Sequence, residues 1–85
     1  MVEFRKLVKD ELERARKLHG KVHSFHEGFA VILEEVDEFK EEVWKKEAKR
    51  DPKLLLGELV QIAAMCNKIA EDMGLLENGQ QAFLS

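Results

Sequence analysis

Between Pro52 and Gly74 the chain carries apolar residues on nearly every face of a helix, and this segment limits what the sequence can fold into. Leu54, Leu55, Leu56, Leu59, Val60 and Ile62 begin the run, and Ala63, Ala64, Met65, Cys66, Ile69, Ala70 and Met73 complete it. A helix apolar all round sits centrally and must be covered by others. Arg50-Asp51-Pro52 sets its start, because proline disfavours helical geometry in the residue before it and fits the first turn after an Asp51 N-cap. Gly74-Leu75 predicts a Schellman ending.

Two amphipathic segments precede it. Residues 2–19 place Phe4, Leu7, Val8, Leu12, Ala15 and Leu18 three and four apart, which predicts a helix with one apolar stripe. Glu11 falls at the border of that stripe, and Gly20 is placed to end the helix as its C′ residue. Ser24 with Glu27 three residues on predicts a capping box for a second helix. Phe25, Phe29, Ile32, Val36, Phe39 and Val43 form its stripe, and the helix is expected to run to about residue 49. Residues 76–85 form a turn-prone polar stretch expected as a frayed, flexible tail, with docking of Phe83 and Leu84 on a partner subunit the alternative.

Short connections lead to the expected fold class: all-α, an antiparallel bundle of three main helices. Eighty-five residues make one domain, 1–85, that buries only about 60–65% of its unfolded surface alone. Its thin core predicts completion by self-association, giving a four-helix-bundle-like core in a homodimer or homotetramer. Trp44, off the stripe of the second helix, is expected at an oligomer contact more than as a base-stacking residue.

Charge narrows the partners. Fourteen basic and 17 acidic residues leave a formal net charge of −3, which supplies no basic footprint for nucleic acid. No apolar run approaches the roughly 18 residues of a membrane span, and the charged N-terminus lacks the core of a secretory signal. The sole cysteine, Cys66, can form no disulfide within the chain and is expected as a buried, inert thiol in a cytoplasmic protein.

Acidic residues then supply the chemistry. Glu34, Glu35, Asp37 and Glu38 are followed by Glu41 and Glu42, and at about 100° per residue Glu35 and Glu38 stand about 60° apart at the edge of the apolar stripe. Alone, such a run reads as a solvated face. Glu58 changes that reading, since it is the only acid between Leu54 and Ile69 in a helix that must be largely buried. A carboxylate there pairs with a cation or takes a raised pKa; lysines 21, 45 and 46 are the protein's own candidates. If the second and third helices pack antiparallel, Glu58 and Gln61 face Glu35 and Glu38, and an all-oxygen set of this kind suits Mg²⁺ or Mn²⁺, not zinc.

Glu34-Glu35-x-x-Glu38, nineteen residues, then Glu58-x-x-Gln61 resembles the E-E-x-x-E … E-x-x-D pattern of the MazG-like nucleotide pyrophosphohydrolases, an all-α superfamily that also includes dimeric dUTPases. The resemblance covers about residues 22–75, with His26-Glu27 ahead of the second helix and Glu71-Asp72-Met73-Gly74 closing the third. It implies Mg²⁺-dependent hydrolysis of a nucleoside triphosphate to monophosphate and pyrophosphate, a house-cleaning reaction on non-standard or surplus nucleotides. By position, Glu35, Glu38 and Glu58 would ligate the metal with Gln61, and Glu34 would orient or deprotonate the attacking water.

Gln61 departs from the pattern, because an amide oxygen coordinates without a charge; Asp72, about 16 Å further along a helix, does not replace it. A non-catalytic oligomerisation or regulatory module with a weakened metal site is therefore the alternative, and a partner-binding helical hairpin a second one. Lys21, Lys45, Lys68 and His26 are candidate phosphate contacts. His23 and His26, one turn apart, also suit a transition metal, or they act only at the helix start.

Overall fold

The computed structural model describes residues 2–78. Four α-helices follow in order: α1 (Phe4–Leu18), α2 (Phe25–Val43), α3 (Pro52–Asp72) and the single turn α4 (Leu75–Asn78), with a 3₁₀ turn at Glu47–Lys49 before α3. The described residues include no strand, and none of their helices is long and apolar enough to cross a membrane. Residues 79–85, with Phe83 and Leu84, lie outside the described part.

The helix starts follow local chemistry. Ser24 Oγ accepts from the Glu27 N–H at 3.0 Å, and Glu27 Oε2 reaches back to the His23 N–H at 3.2 Å. The box is thus closed one residue before the cap itself. Asp51 caps α3 by accepting from the Lys53 N–H at 2.9 Å, with Pro52 in the first turn. Gly74 takes φ 69°, the left-handed conformation that ends α3.

Two ends differ from expectation. Helix α2 stops at Val43, six residues short of 49, because side chains take over from the helical ladder. Arg50 Nε donates to the Val43 carbonyl at 3.0 Å, and Glu42 Oε1 accepts from the Asp51 N–H at 3.4 Å, so the chain turns early. After α1, Gly20 does not take a positive φ; His19 is extended, and Lys68 and Asp72 of α3 bind the following segment at Gly20 and Val22.

Helix α3 is central, as its composition requires. Both α1 and α2 pack on it, while α1 and α2 make no close backbone approach to each other. Arg16 meets Asp72 near the end of α3, so α1 runs in the same sense as α3. Gly28 lies against Ile69, and Glu42 reaches Asp51, so α2 runs antiparallel to it. Ala15, Ala64 and Met65 form the buried centre, with Val8, Leu12, Val31 and Ile32 packed around it. Packing at Gly28 is close: a Cβ there would meet the Ile69 side chain at 3.0 Å, and Ile69 would have to give way by a few tenths of an ångström.

Much apolar surface is left uncovered. Phe25, Phe29, Leu33 and Val36 make an exposed stripe along α2, and Leu56 and Leu59 lie exposed on α3. Cys66 is also exposed, contrary to the buried thiol expected. Its helix is apolar all round, but two neighbouring helices cover only part of the circumference. Trp44 stands 75% exposed with Lys40 Nζ 5.8 Å from its ring centroid, a cation–π pair.

Candidate metal centre

The antiparallel pairing of α2 and α3 brings Glu35, Glu38 and Glu58 together. One carboxylate oxygen from each lies within 4.8 Å of the others, with Glu35 and Glu58 half-buried and Glu38 exposed. Oε2 of Glu35 and Oε2 of Glu58 are buried and have no hydrogen-bond partner. Buried acceptors are nearly always paired, and two orphans in one cluster make it a candidate ligand site.

Electrostatics say the same. Burial, and next the charges of Glu38 and Glu58, push the Glu35 carboxyl up to about 7. Burial and the neighbouring Glu38 also raise Glu58. Like charges held this close in a partly dry site favour the proton on one of them, and a bound cation would offset that. None of the ion pairs among the described residues involves Glu58, so no lysine takes that role. Three carboxylates with free oxygen lone pairs fit a hard divalent cation such as Mg²⁺ or Mn²⁺.

Beside the cluster, a cavity of about 470 Å³ opens where α1 and α2 splay apart over α3. Glu34 and Glu35 border it from α2, and Gln61, Met65 and Lys68 form its α3 side. The opposite wall is Glu11 and Arg14 of α1 with the 19–23 segment, including Lys21 and His23. The volume is within the range of small-molecule sites.

The residues expected at the site thus divide. Glu34, Gln61 and Lys21 border the cavity, and Glu35 belongs to both cavity and carboxylate cluster. Gln61 shares the cavity lining with Glu11 of α1. Glu11 itself is bound by Arg14 at 2.8 and 2.6 Å, and that bond, ahead of burial acting the other way, lowers its pKa. Lys68 borders the cavity but is 3% exposed and internally bonded. Lys45 pairs with Glu42 at 2.8 Å, and His26 is exposed; neither lines the cavity.

A buried network at the far end of α3 had no place in the sequence reading. Asp72 accepts from the Val22 N–H at 2.9 Å, from Arg16 Nη1 at 2.8 Å and from Lys68 Nζ at 3.1 Å. Lys68 Nζ also donates to the Gly20 carbonyl at 2.6 Å. Burial alone would raise the Asp72 carboxyl, yet these donors hold it at about 2. The i,i+4 spacing of Lys68 and Asp72 in an apolar helix was its one visible signal.

No protein-family model matches the chain, and no curated protein or solved structure shows significant similarity to it.

Proposed function

We propose that the protein is a cytoplasmic, Mg²⁺-dependent nucleotide pyrophosphohydrolase that cleaves a (deoxy)nucleoside triphosphate to the monophosphate and pyrophosphate. The observation that carries this reading is the convergence of Glu35, Glu38 and Glu58 from two helices with two buried oxygens unpartnered. Their order and spacing are those of the MazG-like pattern, and a cavity of ligand size adjoins them.

In this reading Glu35, Glu38 and Glu58 hold the ion, with Gln61 one helical turn from Glu58. A bound Mg²⁺ or Mn²⁺ supplies positive charge against phosphate oxygens and lowers the pKa of a coordinated water. Glu34, next to the cluster and on the cavity wall, accepts the proton of the attacking water. Lys21 on the opposite wall binds an anionic oxygen of the substrate. The Gln61 amide brings no charge, so the site carries three carboxylates instead of four and binds Mg²⁺ more weakly than a four-acid set.

Pyrophosphate release from a panel of standard and modified nucleotides, with Mg²⁺ and with Mn²⁺, tests the assignment. Turnover of at least one nucleotide is expected, falling at least a hundredfold in Glu38→Gln, on the order of what a lost electrostatic contact to the reacting centre costs. No turnover of any nucleotide, with metal binding unchanged in Glu38→Gln, rejects the enzyme.

The exposed stripe of Phe25, Phe29, Leu33 and Val36 supports assembly as a homodimer or homotetramer. Light scattering is expected to give twice or four times the 9.8 kDa chain mass. A monodisperse monomer at micromolar concentration counts against it.

A further inference from the structure

Lys21 is the residue that the buried network singles out. Its two chain neighbours are the ones fixed to α3: the Gly20 carbonyl accepts from Lys68 Nζ at 2.6 Å, and the Val22 N–H donates to Asp72 Oδ2 at 2.9 Å. The side chains of Lys68 and Asp72 are only 4% and 5% exposed, and they pair with each other at 3.1 Å. Arg16 closes the network from α1 through Asp72 Oδ1. A peptide segment pinned on both sides of one residue presents that residue's side chain from a fixed backbone, which cuts the ordering cost of binding.

The other cations of the cavity are already engaged. Arg14 is bound to Glu11 through two nitrogens, and the Lys68 ammonium is buried between Gly20 and Asp72. Lys21 is exposed, borders the cavity, and has no ion pair or side-chain hydrogen bond among the described residues. Glu34 and Glu35 stand on the α2 side of the same space.

We infer that Lys68 and Asp72 are positioning residues, forming a latch that holds Lys21 as the anion-binding group of the cavity, while Lys68 itself does not touch the ligand. The inference rests on the cavity receiving a phosphoryl ligand, as the proposed function requires. It reassigns Lys68 from substrate contact to support, and it makes the 19–24 segment a preformed wall instead of a loose connection.

A double-mutant cycle read by calorimetric titration with inorganic pyrophosphate in Mg²⁺ buffer tests this. Lys21→Ala is expected to weaken pyrophosphate binding about tenfold, the loss of one charge-assisted contact. Asp72→Asn is expected to weaken it comparably. The double variant is expected to bind no worse than Lys21→Ala alone, because the latch acts only through Lys21. Additive losses, about a hundredfold in the double variant, overturn the latch, as does unchanged binding in Asp72→Asn. Absence of pyrophosphate binding by the wild-type protein also overturns it, whereas the nucleotide panel separately decides whether the protein is an enzyme. Should Asp72→Asn not fold, amide hydrogen exchange on the wild-type protein replaces it. Val22 is then expected to exchange at least tenfold more slowly than Lys21, and equal rates overturn the inference.

Discussion

Glu35→Gln is expected to make the metal-free protein more stable at pH 8 and to remove most of its response to divalent cations. Burial and the neighbouring charges of Glu38 and Glu58 lift the Glu35 carboxyl to about 7, so the folded state favours its proton more than the unfolded chain does. A raised carboxyl costs nothing below its unfolded value of 4.5, and its cost grows as pH rises toward 7. Above that the full penalty applies, on the order of 2 kcal/mol once solvent screening of a half-buried group is allowed for. Glutamine carries no charge at any pH and removes the penalty. In a domain of this size 1 kcal/mol is worth about 4–8 °C in melting temperature.

The cation reverses the ranking. At a hundredfold excess over its dissociation constant an ion bound only by the folded state adds about 2.7 kcal/mol. The wild-type protein is expected to gain this at pH 8, and less at pH 5.5 where protons compete, while the variant gains little. Calorimetric melts with and without Mn²⁺ at the two pH values check both signs. A metal-free variant that melts below the wild type at pH 8 would show that the carboxylate supports the fold, and the cation site would be lost with it.

The second large effect belongs to Asp72. Asp72→Ala removes an acceptor shared by Val22, Arg16 and Lys68 and leaves the Lys68 ammonium buried without its carboxylate. Breaking a buried pair from one side costs about 3–5 kcal/mol, a large part of the 5–15 kcal/mol available to a small domain. Urea denaturation is expected to show that loss, and adding Lys68→Met to Asp72→Ala is expected to recover part of it by removing the stranded charge. A single variant within 0.5 kcal/mol of wild type would contradict the network's role. In the wild-type protein the carboxyl held near 2, against 3.8 ordinarily, contributes about 2 kcal/mol above pH 4. That contribution drains away as pH falls from about 4 to about 2.

Legibility in the sequence followed the range of the forces. Ser24, Asp51 with Pro52, and Gly74 mark helix ends through hydrogen bonds and backbone preferences a few residues long, and all three were readable. The end of α2 was not, because it depends on Arg50 and Glu42 acting across a turn that only the folded chain makes. Gly20 misled for the same reason: its conformation is set by Lys68, 48 residues away. The carboxylate cluster was visible because Glu58 contrasts with its apolar surroundings. The cavity was not, since it exists only because α1 and α2 both lie on α3 without closing on each other. Cys66 was misplaced because apolar character states that a helix is to be covered, not which side its own chain covers.

Gly28 gives the cluster its dimension. It lets the backbone of α2 come down onto Ile69, and Glu35 follows on the same stiff rod about 10 Å further along. The gap between carboxylates on α2 and the carboxylate on α3 is therefore gauged from a residue with no side chain and no chemistry of its own. A wedge placed there would be transmitted as a change in the spacing of the three carboxylates, which is thus set from a position outside the acidic motif.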